Sequence, residues 1–174
     1  EPMHFHNKYP GVTVAVGEER LVAIPHLLQD RPETEVIILD DAFQHRTVRA
    51  GLNILLTDYN NLFTRDFYLP TGDLRDLKSS YKRAEIIVVT KCRKDLDEAE
   101  KKKIIKEIKP LPEQQIFFTC IDYSRPYHII SHEERGLDTN VEILLVTGIA
   151  NPRPLKKLLE GYSNTYQMLQ YADH

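Results

Sequence analysis

Residues 35–46 read Glu-Val-Ile-Ile-Leu-Asp-Asp-Ala-Phe-Gln-His-Arg. Four consecutive apolar residues, Val36, Ile37, Ile38 and Leu39, run straight into two carboxylates. An uninterrupted apolar run rich in β-branched residues predicts a strand buried on both faces, as in parallel sheets. The C-terminal end of that strand then carries Asp40 and Asp41. In open parallel sheets, ligands collect beyond the carboxyl ends of the strands, where rigid backbone can aim acids at a metal-bound phosphate. A single Asp after a strand is more often a turn cap. Two adjacent Asp followed by Gln44, His45 and Arg46 point instead to a Walker-B-type site.

The neighbouring sequence alternates strand and helix signals. Gly11–Val16 reads as a short strand, Arg20–Gln29 as a helix ending near Pro32, and Asn53–Asp58 and Ala84–Thr90 as buried strands. Asp97–Ile108 has acids first and lysines later, which suits the helix dipole, and it stops before Pro110. Ile116–Cys120 is the next strand. Tyr59–Tyr81 has no clear period, and a connection that long within a compact domain is usually functional. Beyond Asp122, residues 124–140 read as a linker or hairpin. They are followed by a strand over Val141–Thr147, a helix over Arg153–Gly161 with Pro154 in its first turn, and a closing strand over Thr165–Tyr171. The alternation predicts an α/β fold with a mostly parallel sheet and helices on both faces.

Composition bounds the function. With 174 residues, 41% hydrophobic and 28% charged, the chain can bury a core. A net charge of −3 and a pI near 6.2 give no global attraction to nucleic acid or to an anionic bilayer. The apolar runs fall well short of the ~18 residues that a membrane-spanning helix requires. Cys92 and Cys120 are too few for a disulfide framework, and both are expected to be buried and inert.

The string DDAFQHR resembles the DDGFQHR signature of the lipid A 4'-kinase (tetraacyldisaccharide 4'-kinase) family. Leu69–Asp76, LPTGDLRD, is similar to that family's LPAGPLRE segment, and Val146–Pro152, VTGIANP, to its AGIGNP segment. Glu1-Pro2 matches the second half of a GDEP element, and Ala172-Asp173-His174 the start of a PDHH-like one. The resemblance implies a P-loop-NTPase-like fold and ATP-dependent phosphorylation of the 4'-hydroxyl of a tetraacyldisaccharide 1-phosphate, with Mg²⁺ as the metal. It also implies that this chain is an internal piece. No G-x-x-x-x-G-K-[ST] string occurs in it, and that string wraps phosphates with backbone N–H groups and Lys. In the family the P-loop lies upstream, together with an N-terminal hydrophobic helix that makes the membrane contact at the cytoplasmic face of the bacterial inner membrane. The piece alone is therefore expected to be inactive and soluble. An apolar surface built against upstream strands and left bare favours non-native self-association. The expected organisation is a partial kinase domain over residues 1–122, a linker over 123–140 and the start of a second lobe over 141–174.

Roles follow from the same resemblance. Mg²⁺ prefers oxygen ligands, so Asp41 and Asp40 are its candidate ligands, Asp41 first. Gln44 and His45 are expected beside the phosphates. Arg75 offers a planar fork suited to phosphate, and Asp76 is expected to hold that fork in place. Arg46 reads as a scaffold ion pair. Two departures stand out: Ala42 replaces Gly, so no positive φ is expected there, and Asp73 adds a negative charge that needs solvent or a partner. The family's general base on the sugar hydroxyl is an Asp–His pair whose His corresponds to His174. Lys91, in Thr90-Lys91-Cys92, reads first as a solvated strand end and second as a nucleotide-base contact, because guanine-reading strands end in TKxD or NKxD and here Asp95 falls two positions late. Two alternatives stay open: another doubly wound P-loop NTPase, such as a metallochaperone-like GTPase, and a non-catalytic binding module.

Overall fold

The run Ile86–Val89 becomes the middle of the larger sheet. In the computed structural model, which describes residues 2–137, 142–149, 151–163 and 166–171, β1 (Ile54–Asp58), β2 (Ile86–Cys92) and β3 (Gln115–Cys120) form a parallel sheet in the order β1-β2-β3. Leu56 lies opposite Val88, which lies opposite Phe117. Parallel neighbours need long crossovers. The second of these contains α3 (Glu98–Ile108).

Alternation along β2 decides what is buried. Ile87 and Val89 point to one face and are fully buried with Leu62, while Ala84 and Cys92 complete that side of the core. From α3, Ile104 and Ile108 are four residues apart, hence on one helical stripe, and both join the same cluster. The helix starts where the Asp97 carboxylate accepts the Glu100 N–H at 2.7 Å, and it stops at Lys109, whose left-handed φ of 53° closes the last turn.

Glu107 on α3 anchors the segment that follows β1. Its carboxylate accepts the Thr64 hydroxyl at 2.6 Å and the Arg65 Nε and Nη2 at 2.8 and 2.6 Å. The Arg65 fork is the main reason that the Glu107 carboxyl sits below the ordinary glutamate value of 4.5. Because its folded pKa is the lower one, this contact stabilises above the ordinary value and fades as pH falls through the depressed one. Glu107→Gln should therefore flatten the acid limb of a plot of Tm against pH below about 4.5. A limb of unchanged steepness would assign that limb to other carboxylates.

The α/β class and the parallel sheet agree with the sequence reading, but two expected strands do not form. Residues 11–16 and 35–40 pair with no neighbouring strand. Val36 is 75% and Ile38 89% exposed, whereas Ile37 and Leu39 are half-buried. The two-residue period is present, but a strand needs a hydrogen-bonded neighbour to become one, and no described segment supplies it. Within the first unit α3 buries Ile104 and Ile108, whereas neither α1 (Pro2–Lys8) nor α2 (Arg20–Asp30) buries a residue. Of the two cysteines expected to be buried, Cys92 is buried and Cys120 exposed.

The chain divides into two compact units, Glu1–Ile121 and Asp122–His174. In the second, β4 (Ile143–Thr147) and β5 (Tyr166–Gln170) pair in parallel, and α4 (Arg153–Glu160) lies between them in sequence. Leu145 and Leu159 are buried there. An antiparallel bridge between Tyr127 and Glu134 gives the early part of 124–140 the hairpin character read from its sequence. No described helix is long and apolar enough to cross a membrane.

Candidate active site

Asp40 and Asp41 sit in a turn rather than at a strand end. Asp41 has a φ of 46°, a left-handed backbone that Asp and Asn tolerate better than most residues, whereas Ala42 does not adopt a positive φ. The turn is closed locally. Gln44 Nε2 donates to the Asp41 carbonyl at 3.1 Å and the His45 N–H to the Ala42 carbonyl at 2.9 Å. Gln44 thus spends its amide on shaping the turn.

The LPTGDLRD segment folds back on itself beside this turn. The Leu74 N–H donates to the Phe67 carbonyl at 3.0 Å and the Gly72 N–H to the Tyr68 carbonyl at 3.1 Å. Lys78 Nζ reaches the Thr64 carbonyl at 2.7 Å and ties the end of the loop to its start. A Cβ on Gly72 would lie 2.3 Å from the Phe67 carbonyl oxygen and 2.5 Å from Asp66 Oδ1, so only glycine fits. Gly72→Ala must move backbone, a change expected to cost roughly 1–3 kcal/mol and to lower Tm by several degrees in a thermal melt. An unchanged Tm would mean that the loop relaxes freely.

From this loop Arg75 donates to Asp41: Nη2 lies 2.5 Å from Oδ1. The Arg75 hydrogen bond is the main reason that the Asp41 carboxyl lies below the ordinary aspartate range, and the positive charges of Arg75 and His45 act in the same direction. Asp40 is exposed beside it. The expectation that Asp76 holds the Arg75 fork does not match the geometry. Asp76 Oδ1 accepts Arg46 Nη2 at 2.6 Å and the Leu77 N–H at 2.7 Å, and Oδ2 accepts Arg83 Nη2 at 2.8 Å. Its carboxylate is fully engaged by these other residues. Desolvation works against the ionised Asp76, but the Leu77 N–H, the Ser80 hydroxyl and Arg46 together hold its pKa below the ordinary value. Arg46 is a scaffold ion pair, as read from the sequence. Asp73 is exposed, which answers the question of its added charge with solvent.

Lys91 is placed elsewhere. It has a φ of 56° where the β2–β3 register shifts, and its Nζ lies 2.9 Å from Asp58 Oδ2 at the end of β1. The ion pair joins the ends of β1 and β2. His174 lies outside the described residues.

A family model described as tetraacyldisaccharide-1-P 4'-kinase matches residues 1–174. The chain belongs to that family. Tetraacyldisaccharide 4'-kinase of Bacteroides thetaiotaomicron is 40% identical over 186 residues, which cover 100% of this chain and 49% of that protein. Tetraacyldisaccharide 4'-kinase of Flavobacterium johnsoniae is 42% identical over 177 residues, which cover 100% of this chain and 51% of that protein. The chain thus spans about half the length of the curated tetraacyldisaccharide 4'-kinases it matches. No solved structure matches. Sequence reasoning brought Asp41 and Arg75 to attention, and the structure joins them by an ion pair, but it missed Arg83. An arginine just before a strand carries no local signal, and its partners lie 7 and 40 residues away.

Proposed function

We propose that the whole protein carrying this chain transfers the γ-phosphate of ATP to the 4'-hydroxyl of a tetraacyldisaccharide 1-phosphate. The observation that carries the reading is the Asp41–Arg75 ion pair, which joins two motifs 34 residues apart in sequence. Phosphoryl transfer asks a protein for positioning and charge neutralisation rather than covalent chemistry. Asp41 and Arg75 offer an anionic and a cationic group on facing loops, both more than half exposed and so within reach of a ligand. Arg75 grips a phosphate oxygen through its planar fork. Gln44 keeps the turn closed, and His45 adds a donor beside it.

Mg²⁺ is commonly held by one or two carboxylates, with phosphate oxygens and water completing its shell. Asp40 and Asp41 form such a donor pair, and among the described residues no group of three or more His, Cys, Asp or Glu forms a fuller cage. The donor set fits Mg²⁺ shared with a nucleotide, and Asp41 and Asp40 would hold it. When bound, the ion neutralises charge on the phosphates. Residues 1–122 are the kinase-domain part in this reading, 123–140 the linker and 141–174 the start of a second lobe that supplies His174 toward the sugar hydroxyl. The whole protein works at the cytoplasmic face of the inner membrane, where its lipid disaccharide is held. The segment alone lacks the phosphate-wrapping glycines and does not turn over.

The test is phosphate transfer from γ-labelled ATP to the lipid disaccharide by a protein of the relatives' full length that carries this segment. Labelled product from the longer protein and none from the 174-residue chain supports the reading. No product from either, or preference for GTP, rejects it.

A further inference from the structure

Arg83 closes the short 3₁₀ helix Lys78–Arg83, one residue before Ala84 enters the core. Its Nη2 donates to the Phe43 carbonyl at 2.8 Å and to Asp76 Oδ2 at 2.8 Å. The guanidinium carbon lies 4.4 Å from the centroid of the Phe43 ring. Phe43 is therefore held by both its backbone and its ring, and it sits in the middle of the turn that carries Asp41, Gln44 and His45. The other oxygen of Asp76 takes Arg46, from the far end of the same turn. One carboxylate between two guanidiniums thus links the DDAFQHR turn to the loop that bears Arg75.

We propose that Arg83 is a positioning residue for the phosphoryl-transfer site, an assignment that rests on the kinase reading above. It sets the turn Asp40–His45 against Arg75 by acting on Phe43 and through Asp76. The chemistry needs arginine. A planar guanidinium can stack on a ring while two N–H groups leave in its plane toward a carbonyl and a carboxylate. A lysine ammonium keeps the charge but not the stacked fork. Nor is Arg83 an ordinary core residue. Its side chain is 35% exposed, and the buried cluster around Ile87 does not include it.

The experiment compares Arg83→Ala and Arg83→Lys in a protein of the relatives' full length, with kcat, KM for ATP and Tm as readouts. It also compares amide spectra of the 174-residue chain. Since a misplacement of about 1 Å costs on the order of 100-fold, Arg83→Ala should lower kcat about 50-fold with KM changed less than about threefold. Arg83→Lys should recover part of that loss, and Tm should move by only a few degrees. In the chain, the amides of residues 41–46 should shift in Arg83→Ala while those of β2 stay in place. If the unsubstituted protein transfers no phosphate, the kinase reading falls and the amide spectra alone decide. Unshifted turn amides would overturn the positioning role. So would an active protein whose kcat is indifferent to both variants, or whose loss of kcat is matched by the fraction unfolded.

Discussion

Asp41→Asn should lower kcat for phosphate transfer by about 10²–10³-fold, equivalent to roughly 3–4 kcal/mol of transition-state stabilisation. The substitution isolates charge from shape. Asn tolerates the left-handed φ of 46° that residue 41 adopts, and its side chain still accepts a hydrogen bond from Arg75. What disappears is the negative charge that the Arg75 hydrogen bond favours and that the proposed reaction uses to hold its cation. Steady-state kinetics on a protein of the relatives' length, with melting curves alongside, give the answer. A loss of less than about tenfold at unchanged Tm would move the metal role to Asp40. Asp40→Asn in parallel reads that case directly, since Asp40 sits exposed next to it.

The largest effect on stability is expected from Ile87→Ala. Ile87 is 0% exposed, occupies the middle of the central strand β2, and packs in one cluster with Leu62, Val89, Ile104 and Ile108. Deleting its outer carbons removes their transfer free energy and leaves a void that strands bonded on both sides cannot collapse to fill. The expected loss is roughly 3–4 kcal/mol, seen as a lower midpoint in urea at an unchanged slope. Ile38→Ala makes the same chemical change at a side chain that is 89% exposed, and it should fall within about 0.5 kcal/mol of the parent. Comparable losses at both sites would show that residues 35–39 are packed in solution.

The contrast between those two isoleucines shows what could be read from sequence. Both lie in runs of four apolar residues, and both runs predict buried strands. The run at 86–89 finds parallel neighbours on either side in β1 and β3, so its pattern becomes structure. The run at 36–39 finds none among the described residues, and hydrophobic pattern alone cannot announce whether a partner exists. Helix α3 was legible to within a residue because its signals are local: an Asp cap, acids first, lysines later. At the site, motif resemblance brought Asp41, Gln44, His45 and Arg75 to attention, and Asp41 meets both Gln44 and Arg75 directly. It assigned Asp76 to the wrong arginine because pairing across loops depends on side-chain direction. Arg46 and Arg83 reach that carboxylate from 30 and 7 residues away.

The clamp on Asp76 has a consequence for how the protein meets its surroundings. The sheet is held by apolar burial, which added salt leaves intact or strengthens. The seam between the two motif loops is ionic: Asp41 with Arg75, and Asp76 with Arg46 and Arg83. Most of these side chains are in contact with solvent, and at physiological ionic strength the Debye length is only about 8 Å. Ionic strength therefore acts as a dial on the seam, able to loosen the alignment of the two loops while the apolar layer beneath them stays folded.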